Sequence, residues 1–168
     1  MSKQSFVNLR AHTQYSIVDS LLSPDELISL AAQDGQPAVA MTDLHRMFGA
    51  VKFYQSARSK GVKPIIGVDA WVDPDITQHI DAGPVRMLFL AEDENGYKKL
   101  LEWVSRSYLD NQRNGLARIK QSWFKEGTQG ILALSGDHID GELGRLSTDK
   151  NQQQKSLDFY KEMFPDSF

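Results

Sequence analysis

His12 and Asp19 follow a short apolar run, Phe6-Val7-Asn8-Leu9. Asp43 follows another, Ala38-Val39-Ala40-Met41, and Asp69 lies within a third, Pro64 to Val72. Imidazole and carboxylate are suitable ligands for zinc, manganese or iron. Apolar runs of this kind read as strands, and enzymes built on parallel β/α barrels draw their sites from the carboxyl ends of the strands. The segments therefore read as parts of one candidate metal site. A carboxylate at a strand end equally caps the next helix or holds a turn, so each acid taken alone also has a purely structural reading. His45 sits among turn formers, and His79 and His138 lie in polar stretches where surface exposure is expected. No phosphate-cradling glycine loop or nucleophile elbow is present.

Positioning these residues calls for strands alternating with helices. Residues 6–9 are expected as a first strand. Ser23-Pro24-Asp25-Glu26 predicts a helix start, with serine as N-cap, proline at the first helical position and glutamate placed for a capping box. Leu27, Ile28, Leu30 and Ala31 continue at helical spacing, and Gly35 can close that helix in the left-handed region. Residues 38–41 form a second strand, 50–60 a helix stopped by Gly61, and 64–72 a third strand, apolar enough to be covered on both faces. Residues 73–84 are polar and turn-rich. A fourth strand is expected over 85–91. The long helix over 94–108 carries Tyr97, Leu100, Leu101, Val104 and Tyr108 on one face. A fifth strand over 131–135 and a helix over 152–163 complete the series. Such alternation predicts parallel pairing through right-handed crossovers.

Composition narrows the function classes. The chain has 168 residues, 40% hydrophobic and 24% charged, as a folded globular protein should be. No apolar run approaches membrane-spanning length and residues 1–5 hold no signal-peptide core, so no membrane partner and a cytoplasmic location are expected. Cysteine is absent, which removes disulfides and thiolate metal sites. A net charge of −3 makes a free-standing nucleic-acid binder unlike this chain. Lys99, Arg106, Arg113 and Lys120 recur every seven residues, but a solvated face is the expected reading. Trp71, Trp103 and Trp123 are expected in cores or interfaces.

Taken in order, several segments resemble the N-terminal PHP domain of the bacterial replicative DNA polymerase III alpha subunit. They are residues 6–13 with Tyr15-Ser16-Ile17-Val18-Asp19, Thr42-Asp43 with 48–54, 61–69, Leu90-Ala91 with 95–100, 130–136, and Phe164-Pro165-Asp166. The resemblance spans nearly the whole chain, and the ordered set is more specific than any one piece. It implies a single PHP domain over residues 1–168, with a distorted TIM-like parallel β/α barrel of α/β class. The ending at Phe168, where another strand is due, suggests a barrel truncated at its C-terminal side and a chain that is part of something longer.

Metal-binding members of that family carry His-x-His followed by aspartate, then Asp-His, a glutamate ending the third strand and a histidine beginning the fourth. This sequence keeps His12, Asp19 and Asp43, and has Asp69 for the glutamate. It has Arg10, Leu44 and Arg86 where the family has histidines. Leucine offers no lone pair. Arginine has no acceptor and stays protonated. Two unit charges 4 Å apart interact by roughly 4 kcal/mol at an effective dielectric near 20, so an arginine there repels a cation. Arg10, His12, Asp19, Asp43, Leu44, Asp69 and Arg86 are thus read as vestigial metal-site positions, with no metal and no catalytic residue in this segment. At least one arginine is expected to turn inward and pair with the retained acids.

The resemblance implies a parent chain that extends DNA from deoxynucleoside triphosphates, with its magnesium-binding palm outside these residues. The segment's expected role is an inactive scaffold that docks the epsilon proofreading exonuclease within the polymerase III holoenzyme. The alternatives are an active metal-dependent PHP phosphoesterase or exonuclease, or an enzyme resembling histidinol-phosphate phosphatase.

Overall fold

Serine, proline and glutamate at the head of the first helix do what their spacing predicts. In the computed structural model, which describes residues 6–17, 19–74 and 83–168, Ser23 Oγ accepts from the Glu26 amide and the Glu26 carboxylate accepts from the Ser23 amide. This capping box opens α1 (Pro24–Gln33), and Gly35 follows its end at φ +71°. The chain divides into two compact units, Met1–Val68 and Asp69–Phe168.

In the first unit, β1 (Ala38–Met41) lies parallel to the start of β2 (Lys63–Asp73), with Ala38 opposite Lys63 and Met41 opposite Ile66. α2 (Ala50–Lys60) joins them and ends at Gly61, again in the left-handed region. Its Ala50, Phe53 and Ala57 are buried, as are Leu27, Ile28 and Ala31 of α1 and all four residues of β1. The first strand expected over residues 6–9 contracts to a single parallel bridge between Asn8 and Val39. Side-chain acceptors intervene there: the Asn8 amide donates to Gln36 Oε1 and the Arg10 amide to Asn8 Oδ1, so no ladder propagates.

The second unit holds the rest of β2, beside β3 (Val85–Ala91), and a helix–hairpin excursion. α3 (Glu94–Asp110) leads into β4 (Gln112–Arg113) and β5 (Leu116–Ala117), then β6 (Ile119–Lys120), which pairs parallel with β2. A 3-10 helix (Gln121–Glu126) and β7 (Ile131–Leu134) follow, then α4 (Glu142–Arg145) and α5 (Lys150–Met163). The wholly parallel pairing expected from the sequence does not hold. β3 and β7 run antiparallel, Leu88 opposite Leu134 and Ala91 opposite Ile131. The connection between them carries a helix, a hairpin and a further strand, so it is not the single-helix crossover that enforces parallel order. The fold is therefore α/β with a mixed sheet.

The buried stripe of α3 is also rotated from its expected position. Gly96, Leu100, Trp103 and Ser107 are buried, while Leu101 is exposed. The cause is a close approach at Gly96, where a Cβ would lie 1.7 Å from the Gly130 carbonyl oxygen. Asp93 caps α3 by accepting from the Gly96 amide, and the Glu92 amide donates to the Gly130 carbonyl. Trp103 thereby enters an aromatic core with Phe89, Phe124 and Phe164, ring centroids 5.1 to 6.0 Å apart. Most of the loop expected over 73–84, with His79, lies outside the described residues.

Candidate functional site

The candidate positions fall in both units, and each unit makes its own arrangement. In the first, Asp43 follows β1 and is fully buried. Its Oδ1 accepts from the Thr13 amide at 2.5 Å and from Ser16 Oγ at 2.6 Å, and its Oδ2 from Thr13 Oγ1 at 2.7 Å. Thr13 and Ser16 are themselves buried. The Leu44 amide donates to Ser16 Oγ, so Leu44 contributes a backbone donor and no ligand. Protein donors thus occupy both oxygens of the Asp43 carboxylate. His12 and Asp19 pair side chain to side chain, Nδ1 with a carboxylate oxygen. Arg10 is exposed at the surface. His45 takes φ +55°, in the left-handed region, within the turn after Leu44.

In the second unit, Asp69 is buried and faces the Arg86 guanidinium in a two-pronged pair. Nε reaches Oδ1 at 2.7 Å and Nη2 reaches Oδ2 at 3.0 Å. Arg86 also touches Asp140 at 3.4 Å, and its guanidinium carbon stands 5.8 Å from the Trp71 ring centre. Burial acts to lower the Arg86 pKa. The hydrogen bond and charge of Asp69, with those of Asp140, outweigh it and hold the group above its ordinary value. The loop that presents Asp140 is tied down: the Arg86 amide donates to the Asp140 carbonyl, and Asp137 accepts from the Ile139 and Asp140 amides. The inward turn expected of one arginine is thus made by Arg86.

Within neither unit, among the described residues, do three or more His, Asp or Glu side chains gather as a group able to hold a metal ion. The structure joins His12 to Asp19 and Arg86 to Asp69, and gives Asp43 neutral partners instead of charged ones. Sequence reasoning missed those partners, Thr13 and Ser16, as well as Asp140. It also missed Trp71, for which a signal existed: strand period two sets residues 69 and 71 on one face. Two members of the seven-residue basic repeat are neutralised locally. Lys99 pairs with Glu102, and Arg106 pairs with Glu126 and lies 4.3 Å from the Trp123 ring centre.

Comparison with known proteins places this geometry in a family. The PHP domain family profile matches residues 8–168. DNA polymerase III subunit alpha of Pseudomonas aeruginosa is 39% identical over 167 residues, covering 98% of this chain and 14% of that protein. The subunit of the same name from Pseudomonas fluorescens is 38% identical over 170 residues. That of Escherichia coli K12 is 34% identical over 170 residues, covering all of this chain and 14% of the relative. This chain therefore spans about one seventh of the length of the curated relatives it matches, and it belongs to the PHP domain family.

Proposed function

We propose that this chain is a catalytically silent PHP domain, one domain over residues 1–168, of a bacterial replicative DNA polymerase III alpha chain. In this reading the longer chain extends DNA from deoxynucleoside triphosphates in the cytoplasm, with its magnesium-binding acids outside these residues. The PHP segment supports the polymerase within the holoenzyme and docks the epsilon proofreading exonuclease.

The observation that carries the reading is the use already made of the retained acids. Both oxygens of Asp43 and both of Asp69 accept from protein donors, and the cation beside Asp69 is Arg86. A guanidinium has no lone pair to share and repels a second cation. Leu44 supplies only an N–H. His12 and Asp19 remain as two ligands, short of the three or four protein ligands that zinc sites use. The donor set does not fit a metal ion. We also read the mixed sheet as part of a distorted TIM-like barrel. Support comes from Ala133, whose amide, on the side of β7 away from β3, donates to the Ser167 carbonyl at 2.8 Å. The chain leaving α5 thus begins to pair along that edge.

Elemental analysis of protein purified without chelator tests the silent site. The expected result is substoichiometric zinc, manganese and iron, with no hydrolysis of phosphate esters. Stoichiometric metal, lost on Asp43→Asn together with phosphoesterase activity, would overturn the reading in favour of an active PHP enzyme.

A further inference from the structure

In four places the chain sets an aspartate or asparagine before a glycine: Asp34-Gly35, Asn95-Gly96, Asn114-Gly115 and Asp140-Gly141. Such steps are chemically fragile, because a glycine has no Cβ to keep its nitrogen away from the preceding side-chain carbonyl carbon. At three of the four that nitrogen is engaged. The Gly35 amide donates to the Ala32 carbonyl, the Gly96 amide to Asp93 Oδ1 and the Gly141 amide to the Asp137 carbonyl. The Gly115 amide donates to no group among the described residues. Asn114 and Gly115 are both exposed, at the tip of the β4–β5 hairpin, with φ +52° and +77°.

We propose that Asn114 is a site of spontaneous covalent modification in the folded protein, becoming aspartate and isoaspartate through a succinimide formed with Gly115. The Gly115 nitrogen bonds to Asn114 Cγ, the Cγ–Nδ2 bond breaks, and Nδ2 leaves as ammonia with the proton that the Gly115 amide gives up. Water then opens the ring at Cγ to give aspartate, or at the Asn114 main-chain carbonyl carbon to give isoaspartate. Nothing is oxidised or reduced: water is consumed and ammonia released. The turn must loosen for the nitrogen to reach Cγ, and little resists it. β4 and β5 pair over only two residues each, and a Cβ at Gly115 would meet nothing within 4 Å. The base of the hairpin stays closed, since Asn111 Nδ2 donates to the Arg118 carbonyl and the Arg118 amide to the Asn111 carbonyl. The rearrangement is therefore confined to the tip.

Asn95 is the contrasting case. Freeing its glycine breaks the bond to Asp93 and unseats the start of α3 from Gly130, whose carbonyl oxygen would lie 1.7 Å from a Cβ at Gly96. Opening of that kind belongs to a larger unfolding unit than the fraying of a two-residue ladder. At Asn114 either product places a carboxylate beside Arg113. Isoaspartate also adds a methylene to the backbone, which a two-residue turn of this type cannot accommodate.

The test ages the full-length chain, folded, in mildly alkaline buffer and maps its peptides by mass spectrometry. Tryptic cleavage after Arg113 and Arg118 releases Asn114 apart from Asn95, which lies between Arg86 and Lys98. Asn114 should deamidate roughly tenfold faster than Asn95, the margin that an open amide has over a hydrogen-bonded one in a seated helix start. In urea the two should react at similar rates. A methyltransferase specific for isoaspartate, supplied with S-adenosylmethionine, should label the aged parent, and Asn114→Gln should lose most of that label. Equal rates at the two sites in the folded chain overturn the inference. So does a difference that persists in urea, which would trace it to neighbouring residues instead of the fold. If Asn114→Gln keeps the label, the modified residue lies elsewhere and the inference fails.

Discussion

Replacing Arg86 with methionine should be among the most damaging single changes in the second unit. Asp69 is 2% exposed at its side chain, and both its oxygens bond to the guanidinium, at 2.7 and 3.0 Å. Methionine fills much of the arginine's volume but supplies no donor, so a buried carboxylate loses the guanidinium that bonds both its oxygens. Breaking a buried ion pair from one side costs about 3–5 kcal/mol. For a chain of this size each kcal/mol moves the melting temperature by roughly 2–4 °C, which puts the expected drop at roughly 6–20 °C. Thermal unfolding followed by circular dichroism reads this directly. The double variant Asp69→Leu/Arg86→Met removes both charges and should recover most of the loss, because an apolar pair of similar volume is often neutral beside a buried ion pair. A drop under about 2 °C for Arg86→Met alone would refute the argument, since a loss below about 1 kcal/mol is what an exposed ion pair gives.

Asp43→Asn puts an amide NH2 among three donors and should cost about 1.5–3 kcal/mol, read by urea denaturation. Gly96→Ala should destabilise by about 1–3 kcal/mol despite alanine's better helix propensity, because its methyl collides with the Gly130 carbonyl; unchanged stability would mean that α3 and the turn before β7 can part without cost. Tyr160 gives a pH prediction. Burial first, then the charge of Glu142, pushes its phenol well above the ordinary value. The unfolded chain ionises near pH 10 and the folded one only higher, so this contribution is complete below pH about 10 and drains away above it. Tyr160→Phe should flatten the alkaline fall in melting temperature, and an unaltered slope would remove Tyr160 from the account.

The helices were legible because their signals are local. Ser23, Pro24 and Glu26 start α1, Gly61 stops α2, and Asp93 caps α3 through the Gly96 amide. The hairpin of β4 and β5 was missed although its signal was present. Asn114 and Gly115, both at positive φ, form the two-residue turn that Asn-Gly favours. The direction of β7 was not legible, since strand polarity after a long excursion depends on contacts far away in sequence. At the site, residue types showed that Arg10, Leu44 and Arg86 have no side-chain lone pair for a metal. They did not reveal which groups hold Asp43. Thr13 and Ser16 belong to a loop of ordinary composition, and only folding brings their hydroxyls to Asp43, about thirty positions away.

The contact between Gly96 and Gly130 bears on how the second unit opens. Gly130 accepts from the Glu92 amide, and Asp93, one position on, accepts from the Gly96 amide. Neither bond can be released while the helix start stays seated on that turn. In deuterated solvent the amide protons of Glu92 and Gly96 should therefore exchange at a shared rate, together with those of β7, as one cooperative unit of local unfolding.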